Sequence, residues 1–357
     1  MKSWLPDGWL TLCYLLAGAL GLVVLTSISP ERVGQQAIMF GIGFALFVYL
    51  NTQDAAVYKT FAPLGYVLSI FMLLATMVFG TTIRGSTRWI ALGTFQLQAG
   101  EFVKPLLVLG FAFFLQKFPP KNIRNIMINL IIYLIPTLII FKQPDLGTAL
   151  IISLIWGVQM FVAGLSFWLL SGIFGFGIVF IEYLPRFLRD YQVKRLETFI
   201  DPYRDPLGAG YNVIQSIIAV GSGGIFGKGL GHGTQSHLRF LPERHTDFIF
   251  ASLAEELGII GSLLVIFCLG GILYRLLILA TNSNSPTSRL IYIGIFSYLF
   301  FQTFINIGMN IGIAPVTGVT LPLISYGGSS VLATAITLGI ASSCNRCDKA
   351  HTLIEIK

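Results

Sequence analysis

Ten near-uncharged runs, each long enough to cross about 30 Å of hydrocarbon, divide most of this sequence. They lie at 9–28, 33–50, 61–80, 98–116, 125–141, 146–163, 165–184, 248–273, 290–311 and 326–343. Only 11% of the residues are charged, against about 25% in ordinary soluble proteins. This composition excludes a soluble enzyme, a disordered chain and a disulfide-stabilised scaffold. We predict an all-α integral membrane protein with ten transmembrane helices, in which residues 1–357 form one polytopic domain.

The distribution of positive charge indicates how the chain crosses the membrane. If both termini are cytoplasmic, the inside segments carry ten Lys and Arg residues and the short outside loops carry four. Cytoplasmic loops carry the excess of Lys and Arg in membrane proteins, so this orientation is favoured. The net charge of +7 is then explained by contact with anionic membrane lipid, and no nucleic-acid partner is expected.

One long segment, 185–247, interrupts the pattern of spans. Its 63 residues carry 14 of the 39 charged side chains, and the span count places it outside the membrane, between helices 7 and 8. Loops of this length are uncommon and usually functional, so we expect the chemistry to centre here. Apolar spacing over 211–221 predicts a short helix within the loop, on the membrane surface or dipping into the protein.

Glycines are dense in residues 221–233 of this loop. A nucleotide-binding P-loop fails because Ser222 and Gly229 stand where its template requires other residues, and G-x-G-x-x-G fails at Phe226. Backbone N–H groups at such glycines can still approach an anion, and Lys228 adds positive charge. The structural alternative is a loop whose glycines provide tight turns.

Three carboxylates follow the loop. Asp247 precedes the run 248–273, where it either caps a helix or faces a site lined by loop residues. Glu255 and Glu256 lie about two turns deeper, where unpaired charge is costly, so they are candidates for a structural polar network.

Other charged residues lie in or beside the earlier spans. Glu101 and Lys104 are three residues apart and therefore share one helical face. They either form an ion pair that fixes helix packing, or Lys104 contacts a phosphate and Glu101 orients it. Arg84 and Arg88 lie near the start of the same helix. Their planar guanidinium groups suit the binding of diphosphate, and the alternative is that they contact solvent or lipid headgroups. Asp145 follows a proline at the start of a run, which is typical of a helix cap.

The sequence does not fix a metal site. The spacing of His232, His237 and His245 matches no set of zinc ligands on a helix. The candidate cofactor is a divalent cation, Mg²⁺ or Mn²⁺, held by Asp247 and diphosphate oxygens.

Several motifs in order resemble the SEDS family (shape, elongation, division and sporulation). They lie at 84–90, 98–104, 143–148, 205–212, 241–250, 254–258 and 321–330. Residues 229–236 and the Pro-Glu-Arg-His sequence at 242–245 resemble the RodA branch, whereas the motif at 321–330 is equally typical of the FtsW branch.

The resemblance implies ten transmembrane helices and a peptidoglycan glycosyltransferase that acts on lipid II at the outer face of the bacterial cytoplasmic membrane. It implies an essential carboxylate at Asp247, an intramembrane pair at Glu101 and Lys104, an arginine at Arg88, and a class B penicillin-binding protein as partner. Together with the charge placement above, it gives a set of candidate substrate-binding residues. They are Arg84, Arg88, Glu101, Lys104, Asp145, Lys228 and His245.

The expected reaction is an inverting transfer. The GlcNAc 4-hydroxyl of lipid II attacks the anomeric carbon of the lipid-linked glycan, undecaprenyl diphosphate leaves, and Asp247 acts as general base. The alternatives are a lipid II flippase and a non-catalytic scaffold for the transpeptidase. The concentration of charge in one outer loop favours the polymerase.

Overall fold

The structure is a computed structural model that describes residues 6–83, 86–92, 95–179, 190–208 and 210–355. These residues form thirteen α-helices, one 3₁₀ helix and three β-strands. The helices are α1 (Gly8–Ile28), α2 (Pro30–Thr52), α3 (Ala55–Phe79), α4 (Ala99–Lys117), α5 (Ile123–Lys142), α6 (Leu146–Val162), α7 (Phe167–Val179), α8 (Asp190–Ile200), α9 (Tyr211–Ser222), α10 (Thr234–His237), α11 (Ile249–Asn282), α12 (Pro286–Asn310) and α13 (Gly328–Glu355). The 3₁₀ helix is Pro202–Arg204, and the strands are β1 (Thr81–Ile83), β2 (Ser86–Leu92) and β3 (Phe95–Gln98).

Within the described ranges, seven helices are long and apolar enough to cross a membrane, namely α1 to α5, α11 and α12. A further apolar helix, α6, is shorter. The chain is therefore a membrane protein with several apolar helices. Each of the ten runs overlaps a helix, although residues 180–184 of the seventh run lie outside the described residues. The count of ten spans stays a prediction.

The predicted helical architecture is confirmed with one addition, a small antiparallel sheet between α3 and α4. Its strands lie in the order β1-β2-β3, with Trp89 opposite both Thr81 and Gln98. The segment is rich in Thr, Ile and Trp, which suit a pleated, half-buried surface. The predicted runs at 61–80 and 98–116 leave this segment as a connection between two spans.

The centre of the bundle is formed by α4 and α12, which are the most buried of the candidate spans. Trp156, Tyr292, Tyr298 and Phe111 are among the largest fully buried side chains. In contrast, α2, α3 and α5 direct many large apolar side chains outward, as expected of helices that face lipid. The pairs α2–α13, α3–α4, α1–α11 and α11–α12 pack side by side.

The predicted short helix in the long segment is confirmed as α9. Of the segment 185–247, residues 185–189 and 209 lie outside the described residues, and the remainder also carries α8, α10 and the 3₁₀ helix. The glycine-rich part packs against a kink in α11 at Gly258, where φ is 65°. There Ile259 N donates to Gly224 O at 3.0 Å and Lys228 N donates to Glu255 O at 3.0 Å. The glycines thus allow two backbone segments to approach closely, which supports the structural alternative.

Candidate active site

Asp247 lies in the segment 238–248, which leads into α11. Its backbone carbonyl oxygen accepts hydrogen bonds from Asn306 Nδ2 at 3.1 Å and Asn310 Nδ2 at 3.0 Å, one turn apart on α12. The N-cap residue of α11 is Phe248, so the interpretation of Asp247 as the cap of this helix is wrong. Its side chain is only half-buried, which suits the other alternative, a carboxylate at a site.

The residues before Asp247 are held by the segment that precedes α13. Ser325 Oγ donates to Thr246 O at 2.8 Å, and Tyr326 N donates to His245 O at 2.9 Å. Because α12 and this segment both fix the backbone, the carboxylate projects from a rigid support.

Arg88 approaches from β2. Its Nη2 donates to Pro144 O at 2.9 Å, and its Nη1 lies 3.4 Å from Asp145 Oδ1. Two parts of one planar guanidinium are therefore engaged, and the side chain is 12% exposed. Arg84, the other predicted arginine, lies outside the described residues.

Asp145 is the N-cap residue of α6, which confirms the predicted cap. Its Oδ1 accepts from Thr148 N at 3.1 Å, and its Oδ2 accepts from Thr148 Oγ1 at 2.9 Å. One buried carboxylate thus starts α6 and orients Arg88. A direct role of Asp145 in binding substrate stays a prediction.

Asp247 and Arg88 converge on Gly318, which lies between α12 and α13. A Cβ atom at Gly318 would lie 3.7 Å from Asp247 Oδ2 and 3.8 Å from Arg88 Nη1. The φ angle of Gly318 is +75°, a conformation that favours glycine. The fold therefore places a carboxylate and a guanidinium from distant parts of the sequence at one point.

Glu101 and Lys104 form a buried ion pair on α4. Lys104 Nζ donates to Glu101 Oε1 at 2.7 Å and to Gln302 Oε1 at 2.8 Å, and it lies 4.9 Å from the centre of the Tyr298 ring. Lys104 is 1% exposed. This geometry supports the interpretation as an ion pair that fixes packing, and contact of Lys104 with phosphate stays a prediction.

Gln302 connects this pair to the Gly318 region. Its Nε2 donates to Thr320 O at 3.0 Å, while Thr320 Oγ1 donates to Ser330 Oγ at 2.8 Å. Gln302 thus links the buried ion pair on α4 to residues 318–320, the segment on which Asp247 and Arg88 converge.

His245 is buried beside Arg32, at the start of α2. Its Nε2 is hydrogen-bonded to Arg32 Nη1, and its ring packs against Tyr326. Burial, together with the positive charge of Arg32, lowers the pKa of His245 to about 4. The imidazole is therefore neutral at physiological pH and accepts a hydrogen bond from the guanidinium.

Lys228 joins the network of glutamates that the sequence predicted in α11. Its Nζ donates to Glu255 Oε1 at 2.9 Å and to Thr234 Oγ1 at 2.9 Å. Glu255 also accepts from Ser236 N at 3.1 Å, and Glu256 accepts from Ser27 Oγ at 2.6 Å. These contacts confirm the predicted structural polar network of Glu255 and Glu256. A role of Lys228 in binding substrate stays a prediction.

Three comparisons with known proteins agree. The model of the FtsW/RodA/SpoVE cell cycle proteins matches residues 8–350. The chain belongs to this family. It is 40% identical over 326 residues to the peptidoglycan glycosyltransferase MrdB of Escherichia coli strain K12, covering 90% of this chain and 88% of MrdB.

Solved structures extend the similarity to the fold of this family member. One is a chain from a structure that concerns the structural coordination of polymerization and crosslinking by a peptidoglycan synthase complex. It matches with a TM-score of 0.83 and 35% identity, covering 96% of this chain and 98% of the other. The crystal structure of Thermus thermophilus RodA matches with a TM-score of 0.73 and 29% identity, covering 96% and 97% of the two chains. The resemblance inferred from the motifs is confirmed.

The described residues of this family member do not offer a complete set of protein ligands for a divalent cation. Among the residues that the structure describes, no group of three His, Cys, Asp or Glu side chains is arranged to hold a metal ion. The carboxylate of Asp145 is already engaged by Arg88 and Thr148. A cation held by Asp247 and diphosphate oxygens stays a prediction, and we derive no step through it.

Sequence reasoning missed the residues that support the site, notably Asn306, Asn310, Gln302 and Gly318. The three amides carried a usable signal, because they lie four residues apart in an otherwise apolar run. Polar side chains at that spacing share one helical face, and in a membrane span such a face points into the protein. Gly318 carried no comparable signal.

Proposed function

We propose that this chain is a peptidoglycan glycosyltransferase that polymerises lipid II into β-1,4-linked glycan. Sequence similarity over nearly the full length of an enzyme with that name supports the activity. The observation that carries the site assignment is the convergence of Asp247 and Arg88 on Gly318. A general base and a group that can stabilise a leaving diphosphate are the two functions that this transfer needs.

The proposed setting is the bacterial cytoplasmic membrane, crossed ten times, with both termini in the cytoplasm and the site on the outer face. Ten inside Lys and Arg residues against four outside support this orientation. Asp247 and Gly318 lie near the C-terminal end of α12, whereas the more basic end of the bundle lies near the N-terminal end of α12.

In the proposed reaction, Asp247 accepts the proton of the GlcNAc 4-hydroxyl as its oxygen attacks the anomeric carbon of the lipid-linked MurNAc. The bond from that carbon to the diphosphate oxygen breaks, and the configuration inverts. A positioned base contributes about 10²–10⁴-fold to such a step. A glycosyl-enzyme on Asp247 would lead to retention and is not part of the proposal.

Arg88 is proposed to stabilise the negative charge that develops on the departing diphosphate. Its contacts with Pro144 O and Asp145 fix the guanidinium plane beforehand, so little reorganisation accompanies charge development. A class B penicillin-binding protein is the proposed partner, consistent with the similarity to a chain of a peptidoglycan synthase complex that couples polymerization to crosslinking.

The test is glycan synthesis from purified lipid II by the detergent-solubilised protein with its cognate transpeptidase. Asp247→Asn preserves size and should lower the rate of glycan synthesis by about 10²–10⁴-fold while complex formation remains. Asp201→Asn is the matched control, because Asp201 is an exposed carboxylate of the same long segment and should be dispensable. Equal product from wild type and Asp247→Asn would refute the proposed base.

The flippase and scaffold alternatives give different results in the same assay. Neither alternative yields glycan from purified lipid II, even with the complex intact. Transport of a fluorescent lipid II across vesicle bilayers would then identify the flippase, whereas a scaffold would show neither activity.

A further inference from the structure

A cavity of about 450 Å³ opens where α4 ends and where α3 and α12 begin. Its lining residues are Lys59, Thr60, Phe113, Gln116, Lys117 and Thr287. Thr287 and Asn306 lie near opposite ends of α12, and the rise of an α-helix separates them by roughly 30 Å. The cavity is therefore on the opposite side of the bundle from Asp247 and plays no part in the proposed transfer.

Neither lysine of the cavity forms an ion pair with a carboxylate in the described part of the chain. Lys59 Nζ donates to Ser285 Oγ at 3.0 Å, and Lys117 Nζ lies 5.5 Å from the centre of the Phe118 ring. The carboxylate of Asp348, which accepts from Ser283 and Ser288, does not line the cavity. Two ammonium groups that line one cavity repel each other, and an anion bound in the cavity lowers that cost.

The start of α12 adds to the positive potential of the cavity. Ser285 caps this 25-residue helix by accepting from Ser288 N at 3.3 Å, so Thr287 lies in the first turn, at the positive end of the helix dipole. The side chains of Thr60, Thr287 and Gln116 can donate further hydrogen bonds to anionic oxygens.

One wall of the cavity is apolar. Phe113 lies one turn before Lys117 on α4, toward the bilayer interior. A phosphate between the lysines would therefore have its polar end at the water boundary and any attached chain against Phe113. This arrangement suits an amphiphile with an anionic phosphate.

We propose that this cavity is a binding site for the phosphate headgroup of an anionic phospholipid. Basic pockets between helices on the cytoplasmic side of a membrane protein bind such headgroups, and the inner leaflet supplies them. The site differs from a general attraction between surface lysines and an anionic membrane because its two lysines share one cavity with an apolar wall. A lipid held there joins the ends of three helices and raises the thermal stability of the bundle.

The experiment is native mass spectrometry of the purified full-length protein in detergent, with added phosphatidylglycerol or phosphatidylcholine. Wild type should retain phosphatidylglycerol about tenfold better than phosphatidylcholine, and Lys59→Gln/Lys117→Gln should lose that preference. Lys121→Gln/Arg124→Gln is the matched control, since it removes two cations that lie at the same end of the bundle but do not line the cavity, and it should keep the preference. Lys59→Arg/Lys117→Arg should also keep it.

Three results would overturn the proposal. The first is an unchanged preference in the Lys59→Gln/Lys117→Gln variant. The second is an equal loss in the Lys121→Gln/Arg124→Gln control, which would reduce the effect to surface charge. The third is displacement of the lipid by millimolar inorganic phosphate, which would assign the cavity to a free anion.

A folding defect in the double variant would leave Lys117→Gln as the deciding variant. The Lys117 ammonium makes no hydrogen bond to another described side chain, so its replacement does not open a polar contact in the bundle. It should reduce the preference for phosphatidylglycerol by several-fold, and an unchanged preference would overturn the proposal.

Discussion

Gln302 Oε1 accepts a hydrogen bond of 2.8 Å from Lys104 Nζ, at the centre of the helix bundle. Through its Nε2, the same amide donates to Thr320 O, two residues from Gly318. A buried charge pair on α4 is thereby connected to the backbone on which Asp247 and Arg88 converge. The connection makes the pair a determinant of site geometry as well as of packing.

Lys104→Met should strongly destabilise the protein. The substitution leaves Glu101 as a buried carboxylate without its counter-charge, which typically costs about 3–5 kcal/mol. The thermal unfolding midpoint in detergent should fall accordingly. Glu101→Gln/Lys104→Met removes both charges and should recover most of the loss, so a double variant as unstable as the single one would contradict this account.

Arg88→Lys should slow glycan polymerisation while leaving the fold intact. A lysine is a point charge and cannot hold Pro144 O and Asp145 in the geometry of a planar guanidinium. We expect kcat to fall by about 10–100-fold, because stabilisation of the departing diphosphate is lost. Arg204→Lys changes an exposed arginine of the long segment and should have no effect. Equal rates for both variants would exclude Arg88 from the reaction.

His245 should make the protein less stable as the pH falls from about 6.5 to about 4. Its pKa is lowered to about 4 in the folded state, so between these values the unfolded chain binds a proton that the folded protein does not. Stability is therefore highest above pH 6.5 and decreases by about 1.4 kcal/mol for each pKa unit of the shift.

The measurement is the thermal midpoint at pH 7 and pH 5 for three proteins. His245→Gln should lose part of the pH dependence of wild type. His232→Gln replaces an exposed histidine and should retain all of it. If the His245→Gln variant kept the full pH dependence, another group would be responsible.

The sequence was sufficient to predict the helical architecture and the cap of α6, because apolar periodicity and capping are local. Asp145 shows this, since Pro-Asp at the start of an apolar run predicted the cap that the structure has. The short helix α9 was predicted from spacing in the same way.

Contacts between distant segments could not be predicted in this way. That Arg88 pairs with Asp145, and that Gly318 receives both Arg88 and Asp247, depends on how α6, the sheet and the segment before α13 pack together. The N-cap interpretation of Asp247 was wrong because α11 begins two residues later than the charge, with Phe248 as its cap. Local sequence preferences do not fix such a register.

Asn306 should position Asp247, and its loss should lower kcat more than it raises KM. Its Nδ2 donates to Asp247 O and to Val319 O at 2.7 Å, so it ties the carboxylate-bearing segment to the residue after Gly318. Asn306→Ala removes the donor to Val319 O and leaves Asp247 O with Asn310 alone, so the carboxylate is held less firmly and we expect about a tenfold loss in kcat.

A variant cycle distinguishes positioning from a general loss of stability. If Asn306 acts through Asp247, adding Asn306→Ala to Asp247→Asn should cause no further loss of the residual rate, because the group it positions is already inactive. Asn310 donates to the same carbonyl oxygen, but its Oδ1 also accepts from Ala251 N, so Asn310→Ala should lower the thermal midpoint as well as the rate. Independent, multiplicative losses would show that Asn306 supports the fold without positioning the base, and the thermal midpoint of each variant would then fall in parallel with its rate.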